Sequence, residues 1–371
     1  MKPLTLKKTE RGDFLLLVFV VLLSLIGTLF IYSASRYSAE NTYNDSLFFV
    51  KKQVIGIILG VISMIFACNY DYNKLKKFNI PVAIISVILL ALVFVPNIGI
   101  ENYGAKRWIS FAGVSLQPSE IAKFSLILFC ATAISKNPDK QTGFKGFIPL
   151  LLFGGLICFL IITEPNMSIT ICCVLLLFTL IFASGIKIRY LLILVVPAFV
   201  FGVILILIEP YRLKRLLAFI NPWSSPKGEG YQLLQSLYAL GSGGMFGVGL
   251  FNSRQKYNFL PFAESDFILS IIGEEIGFFG ILLFFSLLLF IVIRGLIIAS
   301  RSKNVFGFIL AIGITLIFGI QVIINALVVS GSIPPTGLPL PLVSSGNTSI
   351  IIFMTEMGIL YNVSKQGTIT F

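Results

Sequence analysis

No histidine occurs in the chain, and only 12% of its 371 residues are charged. The first absence excludes imidazole acid–base catalysis, a Ser-His-Asp triad and His-ligated metal sites. The second argues against a fold surrounded by water, since soluble domains carry about a quarter charged residues. No CxxC pair is present. The five cysteines, Cys68, Cys130, Cys158, Cys172 and Cys173, lie in or at the ends of apolar runs and read as small buried hydrophobes. No GxxxxGK[ST] phosphate loop appears. There is no internal repeat, no low-complexity segment and no polar block large enough for a second globular unit. A single polytopic membrane domain over 1–371 is the expectation.

What is present is hydrophobic: 57% of residues, in runs of about 20 that match a bilayer's thickness. The pattern predicts an all-α integral membrane protein with ten spans. They fall at roughly 13–33, 48–68, 79–96, 118–135, 147–163, 168–184, 190–209, 266–293, 305–330 and 347–362. The first run is too long for the core of a cleavable leader, so none is expected. One set of connections, with both termini, holds sixteen basic residues, among them Lys7, Lys8, Lys74, Lys76, Lys140, Arg294 and Arg301. The opposite short connections hold five: Arg36, Lys51, Lys52, Lys106 and Arg107. That asymmetry places both termini in the cytoplasm. The long connection 210–265, between spans seven and eight, is then extracellular with six basic residues of its own. Long loops escape the positive-inside rule and are commonly functional. The net charge of +12 therefore serves partly to orient helices and partly to face outward. An outward basic cavity suits a phosphate or pyrophosphate. Nucleic acid is not an expected partner.

The outer connections carry the candidate chemistry. The segment before span four reads as a loop, with Trp108 and Phe111 at interface depth. "QPSEIAK" then opens the span, with Pro118 at a first helical position. Glu120 and Lys123 share a helical face. They read either as a first-turn carboxylate with a snorkelling lysine, or as a buried ion pair lining an outward cavity. Residues from Tyr211 to Ile220 alternate basic and apolar, as a short interfacial amphipathic helix does. The glycines Gly241, Gly243, Gly244, Gly247 and Gly249 let backbone approach something closely. In "LPFAESDFILSIIGEEIG", Asp266 reads either as a helix cap, with Ser265 as rival, or as a carboxylate at the membrane–water boundary. There it can take a proton from an attacking hydroxyl or hold a divalent cation. Glu264 beside it favours a raised pKa in one of the two. Deeper in the span, at least one of Glu274 and Glu275 must face the interior with a partner. Finally "TGLPLPLVSSGNTS" reads as rigid non-helical backbone, either a packing turn or a cavity wall, offering Ser344, Ser345, Asn347 and Ser349.

Together "GAKRWI", "QPSEIAK", "NPWSSPKGEGYQLLQSLYALGSGGMFGVGL", "NSRQKYNFLPFAESDFILSIIGEEIG" and "TGLPLPLVSSGNTS" resemble the SEDS family (shape, elongation, division, sporulation), and its FtsW/SpoVE branch more than RodA. The resemblance runs nearly the whole chain in order. It implies a multi-pass peptidoglycan glycosyltransferase of the bacterial cytoplasmic membrane, polymerising lipid II on the outer face. It also implies a class B penicillin-binding protein as partner, with other divisome or elongasome membrane proteins. The family's essential acid falls on Asp266. Its helix-four pair falls on Glu120 and Lys123, and further cavity positions fall on Arg107, Ser344 and Gly346. Asp266 is then the base, or the ligand of a divalent cation such as Mg²⁺ or Mn²⁺. Lys123 and Arg107 are candidates for phosphate contact, with Glu120 orienting Lys123. No organic cofactor is expected. The chain departs from the family's wording at Phe262, Glu264, Asn166, Ser345 and Asn347. Two other classes stand beside the enzyme: a lipid II flippase and a non-catalytic division scaffold.

Overall fold

A computed structural model of the chain describes residues 12–96, 98–102, 105–111, 114–136 and 144–367. Twelve α-helices lie among them. They are α1 (Phe14–Tyr43), α2 (Phe48–Asn69), α3 (Asn79–Leu92), α4 (Pro118–Lys136), α5 (Ile148–Thr163), α6 (Met167–Ala183), α7 (Ile188–Ile208), α8 (Pro210–Ile220), α9 (Tyr231–Gly243), α10 (Ile268–Ser300), α11 (Val305–Val329) and α12 (Asn347–Gln366). Six helical stretches are long and apolar enough to cross a membrane, against the ten spans expected. α5 and α6 are apolar but have only 16 and 17 residues. α12 buries Thr348, Ser349 and Glu356 on its inner side.

The bundle is apolar outside and polar within. Phe66, Leu152 and Phe199 are 69%, 70% and 72% exposed, facing outward where lipid would lie. Gln53, Glu120, Lys123, Gln321, Asn325 and Glu356 are buried. This inversion is physical: lipid gives helices no hydrophobic reason to associate, so packing and interhelical hydrogen bonds do it.

Side-chain ties define two faces. On one, Asp13 accepts from Leu16 N as the cap of α1 and binds Arg294 Nε at 2.6 Å, while its own backbone N–H donates to Ser364 Oγ. Asn304 reaches the Tyr72 hydroxyl there, and Tyr72 N donates to Asn362. The first and last helices thus share this face. The opposite face gathers residues 99–102, 105–111, 114–116, 164–166, 244–267 and 330–346.

The segment before α4, expected as a loop, forms an antiparallel sheet of β1 (Gly99–Asn102), β2 (Ala105–Phe111) and β3 (Val114–Leu116) in that order. Ile100 pairs with Trp108, and Ile109 with Leu116. β-branched and aromatic residues across adjacent strands favour such pairing. Gly104 and Gly113 lie outside the described residues. The sheet matters because β2 carries Arg107.

The long connection also contains two helices, α8 and α9. α8 is the amphipathic helix its sequence suggests. Between α9 and α10 the glycine-rich backbone folds back onto α10, which is broken at Gly277 (φ 68°, ψ −171°). A broken helix in lipid must have its freed backbone groups satisfied. Phe278 N donates to Gly244 O, Phe279 N to Met245 O, Val248 N to Glu274 O and Gly249 N to Glu275 O. A Cβ on Gly247 (φ +82°) would collide with the Glu275 carbonyl, and one on Gly277 with the Gly247 backbone. What the glycines approach is therefore this chain's own helix.

Candidate functional site

α10 begins at Ile268 with Phe267 as its cap residue and no side-chain cap bond. Asp266 is thus not consumed as a cap. Its Oδ1 accepts from Ser265 Oγ at 2.9 Å, and its Oδ2 lies 3.2 Å from where a Cβ on Gly337 would sit. Its backbone is clamped, since Asn325 Nδ2 donates to Asp266 O at 2.8 Å and to Leu338 O at 2.7 Å. Ser344 Oγ donates to Ser265 O at 2.6 Å, and Ser345 N to Glu264 O at 3.0 Å. The 330–346 connection therefore holds the acid's loop from one side. Gly346 is extended, precedes α12 and accepts from Ile350 N.

Facing this acid are two arginines. Burial raises the Asp266 pKa above the usual aspartate range, while Ser265, Arg107 and Arg215 pull it down. No ion pair is closed with Asp266 among the described residues. Arg107 donates from Nε to Glu164 O at 3.4 Å and also to Pro165 O. Burial, then the charge of Arg215, lowers its pKa, and Asp266, Tyr211 and Glu164 oppose that. Arg215 sits over the Tyr211 ring at 4.6 Å and faces Glu229 at 3.7 Å across a half-exposed, weak pair. A cavity of about 320 Å³ is lined by Arg107, Arg212 and Arg215 together with Met167, Ile171, Leu216, Ile333 and Pro334. Cations in an apolar-walled cavity fit an anion that carries a hydrocarbon chain. Glu164, beside Arg107, is fully buried with neither carboxylate oxygen hydrogen-bonded. Burial pushes its pKa to about 8, and Arg107 draws it down.

Glu120 and Lys123 are elsewhere. They form a buried pair at 2.8 Å, and Lys123 Nζ also donates to Gln321 at 2.7 Å and lies over the Phe353 ring. The pair ties α4 to α11 and α12 inside the bundle. The structure does not bring Lys123 to the arginine-lined cavity. Glu274 and Glu275 are both partnered: Glu274 accepts from Ser253 Oγ, Arg254 N and Gln255 N, and Glu275 from Ser33 Oγ with Lys256 at 3.6 Å. Asn166 caps α6 by accepting from Ile169 N.

Sequence reasoning did not single out Asn325, Gly337, Glu164 or Arg215 as site residues. A lone Asn in an apolar span was a usable signal for the first. Arg215 was counted only among the basic residues of 210–265, and nothing local marked Gly337, which meets Asp266, or Glu164, which meets Arg107. Among the described residues no three Asp, Glu, His or Cys side chains gather into a metal site. Asp266 supplies one carboxylate, which suits Mg²⁺ held jointly with substrate phosphates and water.

The architecture is thus that of a multi-pass membrane protein with a clamped acid beside a cationic, apolar-walled cavity on one face. Comparison with known proteins gives the family. The family model described as "Cell cycle protein", covering FtsW, RodA and SpoVE, matches residues 13–369. The chain is 38% identical to a probable peptidoglycan glycosyltransferase FtsW of Geobacter metallireducens, over 98% of this chain and 97% of that one. It is 39% identical to stage V sporulation protein E of Bacillus subtilis, over 98% and 100%. A solved chain from a peptidoglycan synthase complex superimposes with a TM-score of 0.79 at 25% identity, over 95% of this chain and 97% of that one. The chain belongs to the FtsW/RodA/SpoVE family.

Proposed function

We propose that the chain is a peptidoglycan glycosyltransferase that polymerises lipid II on the outer face of the cytoplasmic membrane, beside a class B penicillin-binding protein. The observation that carries this reading is Asp266. It is a clamped carboxylate that caps no helix, closes no ion pair among the described residues, and faces Arg107 and Arg215. The family's relatives named as glycosyltransferases, and the neighbour from a synthase complex, support it.

In this reading the growing strand enters with its lipid-linked pyrophosphate at the arginines and its hydrocarbon against Met167, Ile171 and Ile333. The 4-hydroxyl of an incoming lipid II attacks the strand's anomeric carbon. The O4–C1 bond forms, the C1–O bond to pyrophosphate breaks, and the bonding pair leaves on the phosphate oxygen. Asp266 takes the hydroxyl proton, which requires its ionised form. Arg107 and Arg215 take the charge that develops on the leaving group. One displacement inverts the anomeric centre. In the alternative role Asp266 would be the protein ligand of a divalent cation, which would supply charge neutralisation at the pyrophosphate. Ser344 and Asn325 hold the acid's loop, and Gly346 leads from that clasp into α12. The Glu120–Lys123 pair fixes α4 against α11 from the interior. The phosphate contacts fall to Arg107 and Arg215.

The test is purified protein with lipid II in detergent. A polymerase makes glycan strands there; a flippase, having no membrane to cross, makes none. Asp266→Asn should fall to background while melting as the wild type does. A division scaffold would keep its cellular function with that change.

A further inference from the structure

Sharing no lining residue with the arginine cavity, two more hollows border the outer end of α1. One, of about 320 Å³, is lined by Ser38, Asn258 and Glu264, among others. The second, of about 790 Å³, is lined by Arg36, Tyr37 and Tyr257. Lys256 borders both, so they adjoin. Their size is that of ligand sites.

Depth and chemistry set them apart from the lipid-facing surface. The 30 residues of α1 span about 45 Å, against about 30 Å of hydrocarbon. With Asp13 tied to Arg294 at the far face, the last turns of α1 project into headgroups and water. The arginine cavity has a largely apolar wall. These hollows instead present hydroxyls, an amide and half-exposed rings. Tyr37 and Tyr257 meet edge to face at 5.2 Å, with Tyr37 42% and Tyr257 51% exposed. Lys256 is spent on Glu275 and the Phe251 carbonyl, so among the lining residues Arg36, exposed near the Tyr32 ring and with Glu40 one turn further along α1, is the cation on offer. Ring faces for sugar C–H surfaces, short polar groups for hydroxyls and a cation for carboxylates form a saccharide-binding set. Glu264 borders the smaller hollow, and the chain runs from it to Asp266 within two residues.

We infer that the hollows along α1 bind the saccharide part of the growing glycan strand, while the strand's pyrophosphate occupies the arginine cavity beyond Asp266. This rests on the polymerase reading. It assigns separate hollows to sugar and to lipid pyrophosphate.

The test uses the full chain in detergent and a lipid-free, uncrosslinked peptidoglycan oligosaccharide, with binding read by thermophoresis. Wild type and Asp266→Asn should bind it equally, because no bond is made. Tyr37→Ala with Tyr257→Ala should weaken binding at least tenfold, as should Ser38→Trp, which fills the smaller hollow. Arg36→Ala, on an exposed position that leaves the fold intact, should weaken the anionic oligosaccharide several-fold but leave an uncharged chitooligosaccharide unchanged. Melting curves confirm that each variant is folded. Absence of binding by the wild type, or equal binding by all variants, overturns the inference and leaves the rings as a membrane-interface belt only. A wild type that polymerises without binding the fragment overturns this inference alone. A wild type that binds the fragment but never polymerises overturns the enzyme reading instead.

Discussion

Asp266 and Glu274 lie eight positions apart in one stretch of sequence, and the fold treats them in opposite ways. Glu274 is surrounded by donors: Ser253 Oγ at 2.5 Å, Arg254 N at 3.0 Å, Ser242 Oγ at 3.3 Å and Gln255 N at 3.4 Å. Its neighbour Glu275 is likewise held by Ser33, Ser253 and Lys256. Asp266 receives one hydroxyl and looks across at two arginines that do not close on it. A carboxylate saturated with donors serves structure, because its acceptor positions are already filled by the backbone and side chains it holds together. One that is clamped through its backbone but open at its oxygens is available for chemistry. The difference lies in partner count, which residue type does not reveal.

The largest effect that would sharpen this contrast is on folding. Gly277→Val puts a branched side chain at φ +68°, where a Cβ already collides with the Gly247 backbone. It should uncouple the loop that feeds Glu274 and Glu275, at a cost of about 3 kcal/mol or more, and yield protein that aggregates or melts early in a thermal scan. Next is Glu275→Ala. It leaves Lys256 buried without its partner and should cost about 3–5 kcal/mol, while the fraction that remains folded keeps its specific activity. Loss of specific activity there would erase the distinction between the two acids.

On the other side of the comparison, Arg107→Ala should keep the melting temperature within a few degrees and reduce strand synthesis by about 10²-fold. Lys74→Ala, on the far face, should leave both the melting temperature and strand synthesis unchanged. Gly337→Ala should act through Asp266: its Cβ would stand 3.2 Å from Oδ2, at φ +71°. Turnover should drop several-fold with a stability loss of about 1–3 kcal/mol, and substrate binding should be nearly unchanged.

The smallest effect is linked to pH. The Glu164 pKa is about 8 in the fold, above its ordinary value of 4.5. The unfolded chain therefore gives up this proton first, and stability falls as pH rises from about 4.5 to about 8, then levels off. Glu164→Gln should remove that slope, melting a few degrees above wild type beyond pH 8 and alike near pH 4.5. Asp266 also has a raised pKa, and as a base it works ionised. Activity should rise with pH, on a limb displaced upward from that of an ordinary aspartate.

Much of this was legible from residues alone. Apolar run length marked the helices, and the alternation in 211–220 marked α8. The intramembrane Glu120–Lys123 pair was legible because charges in lipid need partners. The sheet under Arg107 was obscured by its Gly and Asn turns, although Ile100, Trp108 and Ile109 are strand formers. Lys123 could not be placed by spacing: its helical face was known, but not that Gln321 and Phe353 from distant helices would enclose it. The target of the glycine run was equally non-local, since only the break at Gly277 explains it. Asn325 and Gly337 reach Asp266 across 59 and 71 positions of chain, and no local pattern encodes that.

The most direct measurement sets Asp266→Asn beside Glu274→Gln. Both are purified, matched for folded protein by melting curve, and assayed for glycan strands made from lipid II. The open-acid account predicts Asp266→Asn down by 10² or more, and Glu274→Gln within a few-fold of wild type per folded molecule. Asp266→Asn polymerising at the wild-type rate, or Glu274→Gln falling as far while still folded, would contradict it.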